Sequence, residues 1–130
     1  MAKKKILLIE DDMATIEVYK TGLESAGFDV DPIITGAEAI RRLREINDNP
    51  KEKPDIVLLD MILPDVLGIE ILKKIRSFEN IKDLKVLILS NYADKELKRR
   101  GLLLKTERYL SKTDYTPSEL VKLVKKELRS

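Results

Sequence analysis

The chain has 130 residues, 43% hydrophobic and 37% charged, with 25 basic against 23 acidic side chains and no Cys, His or Trp. This length specifies one domain, residues 1–130, with a core that needs no staples. Without Cys or His, disulfides, thiolate or His-ligated metal sites, Cys nucleophiles, imidazole bases and Ser-His-Asp chemistry are excluded, which leaves carboxylates, hydroxyls, Lys and Arg. The basic run at residues 3–5 is followed by an apolar run of only four, too short for a secretion signal, and no stretch approaches a membrane span. The chain therefore reads as soluble and cytoplasmic, without a membrane partner.

Residues 6–9 form a continuous apolar run with the length of a buried strand, and Ile16, Tyr19 and Leu23 then follow helical spacing up to Gly27. Residues 28–34 make a weaker strand. Pro32 interrupts it and places it at a sheet edge, because proline cannot donate to a ladder. Thr35-Gly-Ala-Glu38 is a capping box that opens a helix through Ile40, Leu43 and Ile46, and the polar residues 47–53 with Asn49-Pro50 close it in a loop.

Residues 56–59 are a second strongly apolar strand, bounded by Pro54 and Asp60. Leu63-Pro64-Asp65 marks a loop before Ile69, Leu72 and Ile75 resume helical spacing. Residues 86–89 form another apolar strand, residues 94–104 a basic helical stretch, and Tyr109-Leu110 a short strand. Thr116-Pro-Ser-Glu119 is a further capping box with Pro117 at the first helical position, and Leu120, Val124 and Leu128 continue at i, i+4 and i+8. Five strands thus alternate with five helices. Continuous apolar strands fit a parallel sheet covered on both faces, so the fold class is a doubly wound five-stranded α/β sheet. Ligands in such sheets bind beyond the carboxyl ends of the strands.

At those ends stand Glu10-Asp11-Asp12, Asp60, Ser90 and Lys112. Asp11, Asp12 and Asp60 bring three negative charges into one crevice, Lys112 offsets one, and a divalent cation would neutralise the other two. An all-oxygen donor set with room for water suits Mg²⁺. A carboxylate beside Mg²⁺, a hydroxyl and an ammonium group is suited to accept a phosphoryl group, with Asp60 as nucleophile and Ser90 and Lys112 on the phosphoryl oxygens. Taken singly, Asp12 reads as a helix N-cap, Ser90 as a turn hydroxyl, Lys112 as a surface lysine and Tyr109 as a half-buried strand aromatic. The set in this order is what points to chemistry.

The chain resembles the receiver domain of bacterial two-component response regulators. The resemblance runs from Ile6 to Leu128 and is carried by Glu10-Asp11-Asp12, Asp60 with Leu63-Pro64 and Gly68, Ser90, and Tyr109 three positions before Lys112. It implies a flavodoxin-like fold with strand order 2-1-3-4-5. It also implies that Asp60 accepts a phosphoryl group from a histidine kinase or phosphotransfer protein. Asp12, Asp60 and the backbone carbonyl of Ile62 would ligate Mg²⁺ directly and Asp11 through water. Ser90 and Lys112 would act as catalytic contacts, and Ser90 and Tyr109 as the switch pair. The switch alters the face formed by the fourth helix, fifth strand and fifth helix, which a downstream protein target reads. The protein is then a phosphoacceptor with slow autodephosphorylation and not an enzyme in its own right. The alternative is a receiver-like interaction module that is never phosphorylated. An acyl-aspartate phosphatase is disfavoured because Ile62 stands where a second acid is expected.

Three departures accompany the resemblance: Asn91 stands where a small residue is usual, Thr113 where Pro is common, and residues 102–106 replace the usual Gly-Ala. Three consecutive Leu residues at 102–104, placed on a helix, would leave one facing solvent, the basis for a possible homodimer there; the alternative is that they plug the sheet's edge. Residues 94–112 carry seven basic and three acidic side chains, but the net charge is only +2, so this stretch reads as a solvated face and not as direct nucleic-acid contact. With nothing after Leu128 to act as an output domain, the response is expected to pass to a separate protein; the alternative is that the chain is a fragment of a longer one.

Overall fold

The computed structural model describes residues 3–92, 94–102, 104 and 107–129. Five strands, β1 (Lys5–Ile9), β2 (Asp29–Ile33), β3 (Ile56–Asp60), β4 (Val86–Ser90) and β5 (Arg108–Ser111), alternate with five helices. The helices are α1 (Met13–Ser25), α2 (Gly36–Asp48), α3 (Gly68–Ser77), α4 (Asp94–Arg99) and α5 (Pro117–Arg129), with a 3₁₀ turn at Pro50–Glu52. All strand pairs are parallel and the order is β2-β1-β3-β4-β5. This is the doubly wound topology that the alternation of elements implies.

The apolar runs are continuous because the pleat sends alternate residues into two separate cores. Ile6, Leu8, Ile56, Leu58, Leu87 and Leu89 pack against Ile16, Tyr19 and Leu23 of α1 and Leu120 and Val124 of α5. Leu7, Ile9, Val57, Leu59 and Ile88 pack on the other face against α2, α3 and Leu97 of α4. Pro32 lies on the edge strand β2, in register with Leu8, as its missing N–H requires.

Helix ends follow their capping residues. Thr35 accepts from the Glu38 amide at 3.2 Å, and Thr116 and Glu119 exchange side chain to backbone bonds at 3.0 and 3.2 Å, the reciprocal pair of a capping box. Arg76, near the end of α3, donates to the Lys82 and Leu84 carbonyls at 2.9 and 2.7 Å and pairs with Glu107 at 2.8 Å, tying the α3–β4 connection to the start of β5.

One element departs from the sequence expectation. The basic helix does not run to residue 104: α4 ends at Arg99, and Gly101 adopts φ +71°. The Leu102 amide reaches back to the Leu97 carbonyl at 2.8 Å and the Gly101 amide to Lys98 at 3.1 Å, a Schellman stop that only glycine makes without strain. Leu102 and Leu104 then turn in against the core beside α4, and Leu103 lies outside the described residues. The helical Leu triplet behind the homodimer expectation is therefore absent. Among the described residues no helix is long and apolar enough to cross a membrane.

Candidate functional site

The carboxyl ends of β1, β3, β4 and β5 open into a crevice of about 430 Å³ that contains Glu10, Asp11, Asp60, Ile62, Ser90 and Lys112. Clefts of about 450 and 630 Å³ lie at the opposite end of the sheet, where the charged lining is engaged in pairs such as Arg42–Asp31, Arg76–Glu107 and Arg108–Glu127. Among the described residues, the carboxylates, hydroxyl and lysine expected at the strand ends converge in the crevice of about 430 Å³.

Asp60 is the last residue of β3, in register with Leu89, and its side chain is 8% exposed. The Lys112 ammonium group lies 3.4 Å from Asp60 Oδ1 and 2.7 Å from Glu10 Oε2, and the Ile62 amide donates to Asp60 Oδ1 at 3.3 Å. Burial pushes the Asp60 carboxyl up to about 7, assisted by the Glu10 charge and opposed by Lys112 and the Ile62 amide. Burial also works against the Lys112 cation, but the hydrogen bond it donates to Glu10 and the charges of Asp60 and Glu10 together hold its pKa above the ordinary lysine value. The lysine therefore stays charged in the crevice.

Glu10, Asp11 and Asp60 each bring a carboxylate oxygen within 4.8 Å of the others, a spacing compatible with one cation. Three carboxylates face one ammonium group, so the donor set is all oxygen with a surplus of two negative charges, which fits Mg²⁺. Ile62 lines the same crevice. The short antiparallel bridge between Ile62 and Leu67 is closed by Gly68 N–H to Met61 O and Leu63 N–H to Val66 O, so it does not consume the Ile62 carbonyl.

Asp12 also lines the crevice, outside the group formed by Glu10, Asp11 and Asp60. Its carboxylate caps α1, accepting from the Thr15 amide at 3.0 Å and from the Thr15 hydroxyl, and these bonds hold its pKa below the usual range. Glu10, 1% exposed, is the third carboxylate of the group. Its position was readable in the strand period: Glu10 continues the phase of Ile6 and Leu8, and Asp60 that of Ile56 and Leu58, so both point to the same face.

Ser90 ends β4, is 1% exposed, and its hydroxyl accepts from the Tyr92 amide at 2.9 Å. Lys112 is held beside it by a backbone bond from the Lys112 amide to the Ser90 carbonyl at 2.7 Å. Asn91 is exposed at the rim. Tyr109 is outside the crevice: its hydroxyl donates to the Leu102 carbonyl at 3.0 Å and accepts from the Leu104 amide at 2.8 Å, bridging the α4–β5 connection.

Fold and crevice together define a doubly wound α/β domain with an acidic, lysine-bearing site at its strand ends. The model of the response regulator receiver domain matches residues 6–125, and the chain belongs to that family of two-component signalling domains. It is 35% identical over 125 residues to the phosphate regulon transcriptional regulatory protein PhoB of Rhizobium meliloti (strain 1021), covering 96% of this chain and 52% of that protein. The chain thus spans about half the length of the curated relatives it matches. Among solved structures, it resembles a receiver domain protein of Methanospirillum hungatei JF-1 at 27% identity and TM-score 0.79, covering 98% of this chain and 95% of that one. The phosphorylated cyanobacterial phytochrome response regulator RcpA is similar at 30% identity and TM-score 0.74, covering 97% of this chain and 91% of that one.

Proposed function

We propose that residues 1–130 form a single receiver domain that accepts a phosphoryl group on Asp60, with Mg²⁺ as cofactor, and passes the signal to a protein partner. The observation that carries this reading is the Asp60 carboxyl itself, held at the strand ends 3.4 Å from Lys112 and clustered with Glu10 and Asp11. Asp11, Asp60 and the Ile62 carbonyl would hold the ion, with Glu10 beside it; the bound ion would supply charge neutralisation at the phosphoryl oxygens. Asp12 is left to its cap.

In the transfer, an Asp60 oxygen attacks phosphorus as the bond to the donor nitrogen of a histidine kinase or phosphotransfer protein breaks. That nitrogen keeps the electron pair, and an acyl phosphate is formed. Lys112 offsets the added charge, and Ser90 exchanges its bond with the Tyr92 amide for one to a phosphoryl oxygen. The similarity to RcpA, a phosphorylated response regulator, supports this assignment.

Exposed apolar side chains from β-α connections and α1, including Met13, Val18, Ile62 and Tyr115, surround the acceptor end and suit a docking donor protein. The α4-β5-α5 face is instead charged, with Lys95, Lys98, Lys122 and Lys125 exposed, and is read as the output surface that responds as Ser90 and Tyr109 rearrange. Phosphate-affinity electrophoresis after incubation with acetyl phosphate tests the proposal. A retarded band that needs Mg²⁺ and is abolished by a chelator is expected; its absence under all conditions would favour the unphosphorylated interaction module.

A further inference from the structure

The acceptor loop is braced from a distant helix. Residues 61–67, between Asp60 and α3, fold back on themselves through Gly68 N–H to Met61 O at 2.6 Å and Leu63 N–H to Val66 O at 3.3 Å. Beyond these bonds, one side chain ties the loop to α2. Asp65 Oδ1 accepts from the Gly36 amide at 2.8 Å and Asp65 Oδ2 from the Ala37 amide at 2.9 Å. Those are two of the N–H groups that the first turn of α2 leaves without a partner inside the helix, and Thr35 takes the next one, on Glu38. The two amides keep the Asp65 carboxyl below the usual carboxylate range.

A second feature of the same contact is steric. A Cβ at Gly36 would stand 2.7 Å from Val66 Cγ1 and 3.0 Å from Asp65 Oδ1, so the loop reaches the helix only because residue 36 has no side chain. Val66 also packs against the core shared by α2 and α3. Charge-assisted bonding and close packing therefore fix the tip of this loop to α2.

We infer that Asp65 is a positioning residue for the acceptor site: by clamping the first turn of α2 it holds the loop that carries the Ile62 amide and carbonyl in register with Asp60. Its functional half rests on the reading of Asp60 as phosphoacceptor; the brace itself does not. Asp65 acts through the backbone and makes no contact with the reacting atoms.

The test compares Asp65→Ala, Asp65→Asn and Thr35→Ala by amide hydrogen exchange and by the rate of phosphoryl uptake from acetyl phosphate with Mg²⁺. Thr35→Ala removes a cap of α2 but leaves the tie to the loop, so it controls for loss of helix stability alone. In Asp65→Ala, exchange at Ile62 and Gly68 is expected to speed up roughly tenfold, the scale of one lost capping contact, with slower uptake. Asp65→Asn, whose amide oxygen replaces only one acceptor, falls between. Thr35→Ala loosens the Glu38 amide and leaves Ile62, Gly68 and uptake at parental values. Parental exchange at Ile62 and Gly68 in both Asp65 variants would overturn the inference, as would a Thr35→Ala variant that reproduces their effect. A parent that takes up no phosphoryl group would remove the acceptor reading and its functional half, with the exchange data still deciding the brace.

Discussion

Replacement of Gly68 by Ala tests how tightly α3 is seated under the acceptor. The new Cβ would lie 2.4 Å from the Asp60 carbonyl oxygen, 2.9 Å from Met61 Cα and 3.1 Å from the Asp60 carbonyl carbon. All three are backbone atoms, and the Asp60–Met61 segment is held in place by the bond from the Met61 amide to Leu89 O at 2.9 Å and by the Gly68–Met61 bond. Ordinary contact needs a separation of about 3.4 Å, so helix and strand end must part by about 1 Å, an overpacking cost of about 3 kcal/mol. For a domain of this size that lowers Tm by roughly 12 °C. The same displacement moves the Asp60 carboxyl, and an error of about 1 Å in a reacting group slows transfer by roughly a hundredfold. Gly22→Ala is the matched control. Its Cβ would meet only Val121 Cγ2 at 3.4 Å, inside α1, where exchanging Gly for Ala stabilises by about 0.5 to 1 kcal/mol. Urea denaturation and the rate of uptake from acetyl phosphate measure both effects. A Gly68→Ala protein as stable as the parent, or one that takes up phosphoryl at the parental rate, would refute the reasoning.

Two further outcomes follow from the crevice. With Asp60 raised to about 7 by burial, the metal-free folded state retains a proton between about pH 4 and 7 that the unfolded state has lost. This contribution is present below about pH 4 and is lost as pH rises through 7, with a ceiling of roughly 4 kcal/mol. Asp60→Asn removes that dependence, so it should gain stability over the parent at pH 8 and not at pH 4, and Mg²⁺ should narrow the gap at pH 8; an equal difference at both pH values would contradict the assignment. The carboxylates at 11 and 12 should also separate: Asp11→Ala is expected to lose Mg²⁺ binding by titration with little change in stability, and Asp12→Ala to lower the urea midpoint as its cap bonds go, with Mg²⁺ binding retained.

The fold was legible where burial is two-sided. The runs at residues 56–59 and 86–89 cannot be read as anything but inner strands, and Pro32 assigned an edge correctly. That Asp60, Ser90 and Lys112 share one crevice was legible because each stands at or just past a strand end, and parallel strands bring their ends together whatever lies between them. A misreading arose where a local signal competed with a stronger one. Gly101 carries the stop of α4, but the Leu residues beyond it were read as more helix. Asp12, read both as a helix N-cap and as a member of the acidic set, makes the cap bonds to Thr15 and also lines the crevice, while the strand period carries Glu10 inward beside Asp60. The tie from Asp65 to α2 spans 29 residues and leaves no periodic trace, so only tertiary structure reveals it.

The central claim is that Asp60 carries the phosphoryl group. Borohydride reduces an acyl phosphate to the alcohol, so protein treated with acetyl phosphate and Mg²⁺, then reduced and digested, should contain homoserine at position 60 by tandem mass spectrometry. Unmodified Asp60 with homoserine at Asp11 or Asp12, or with no homoserine anywhere, would contradict the account.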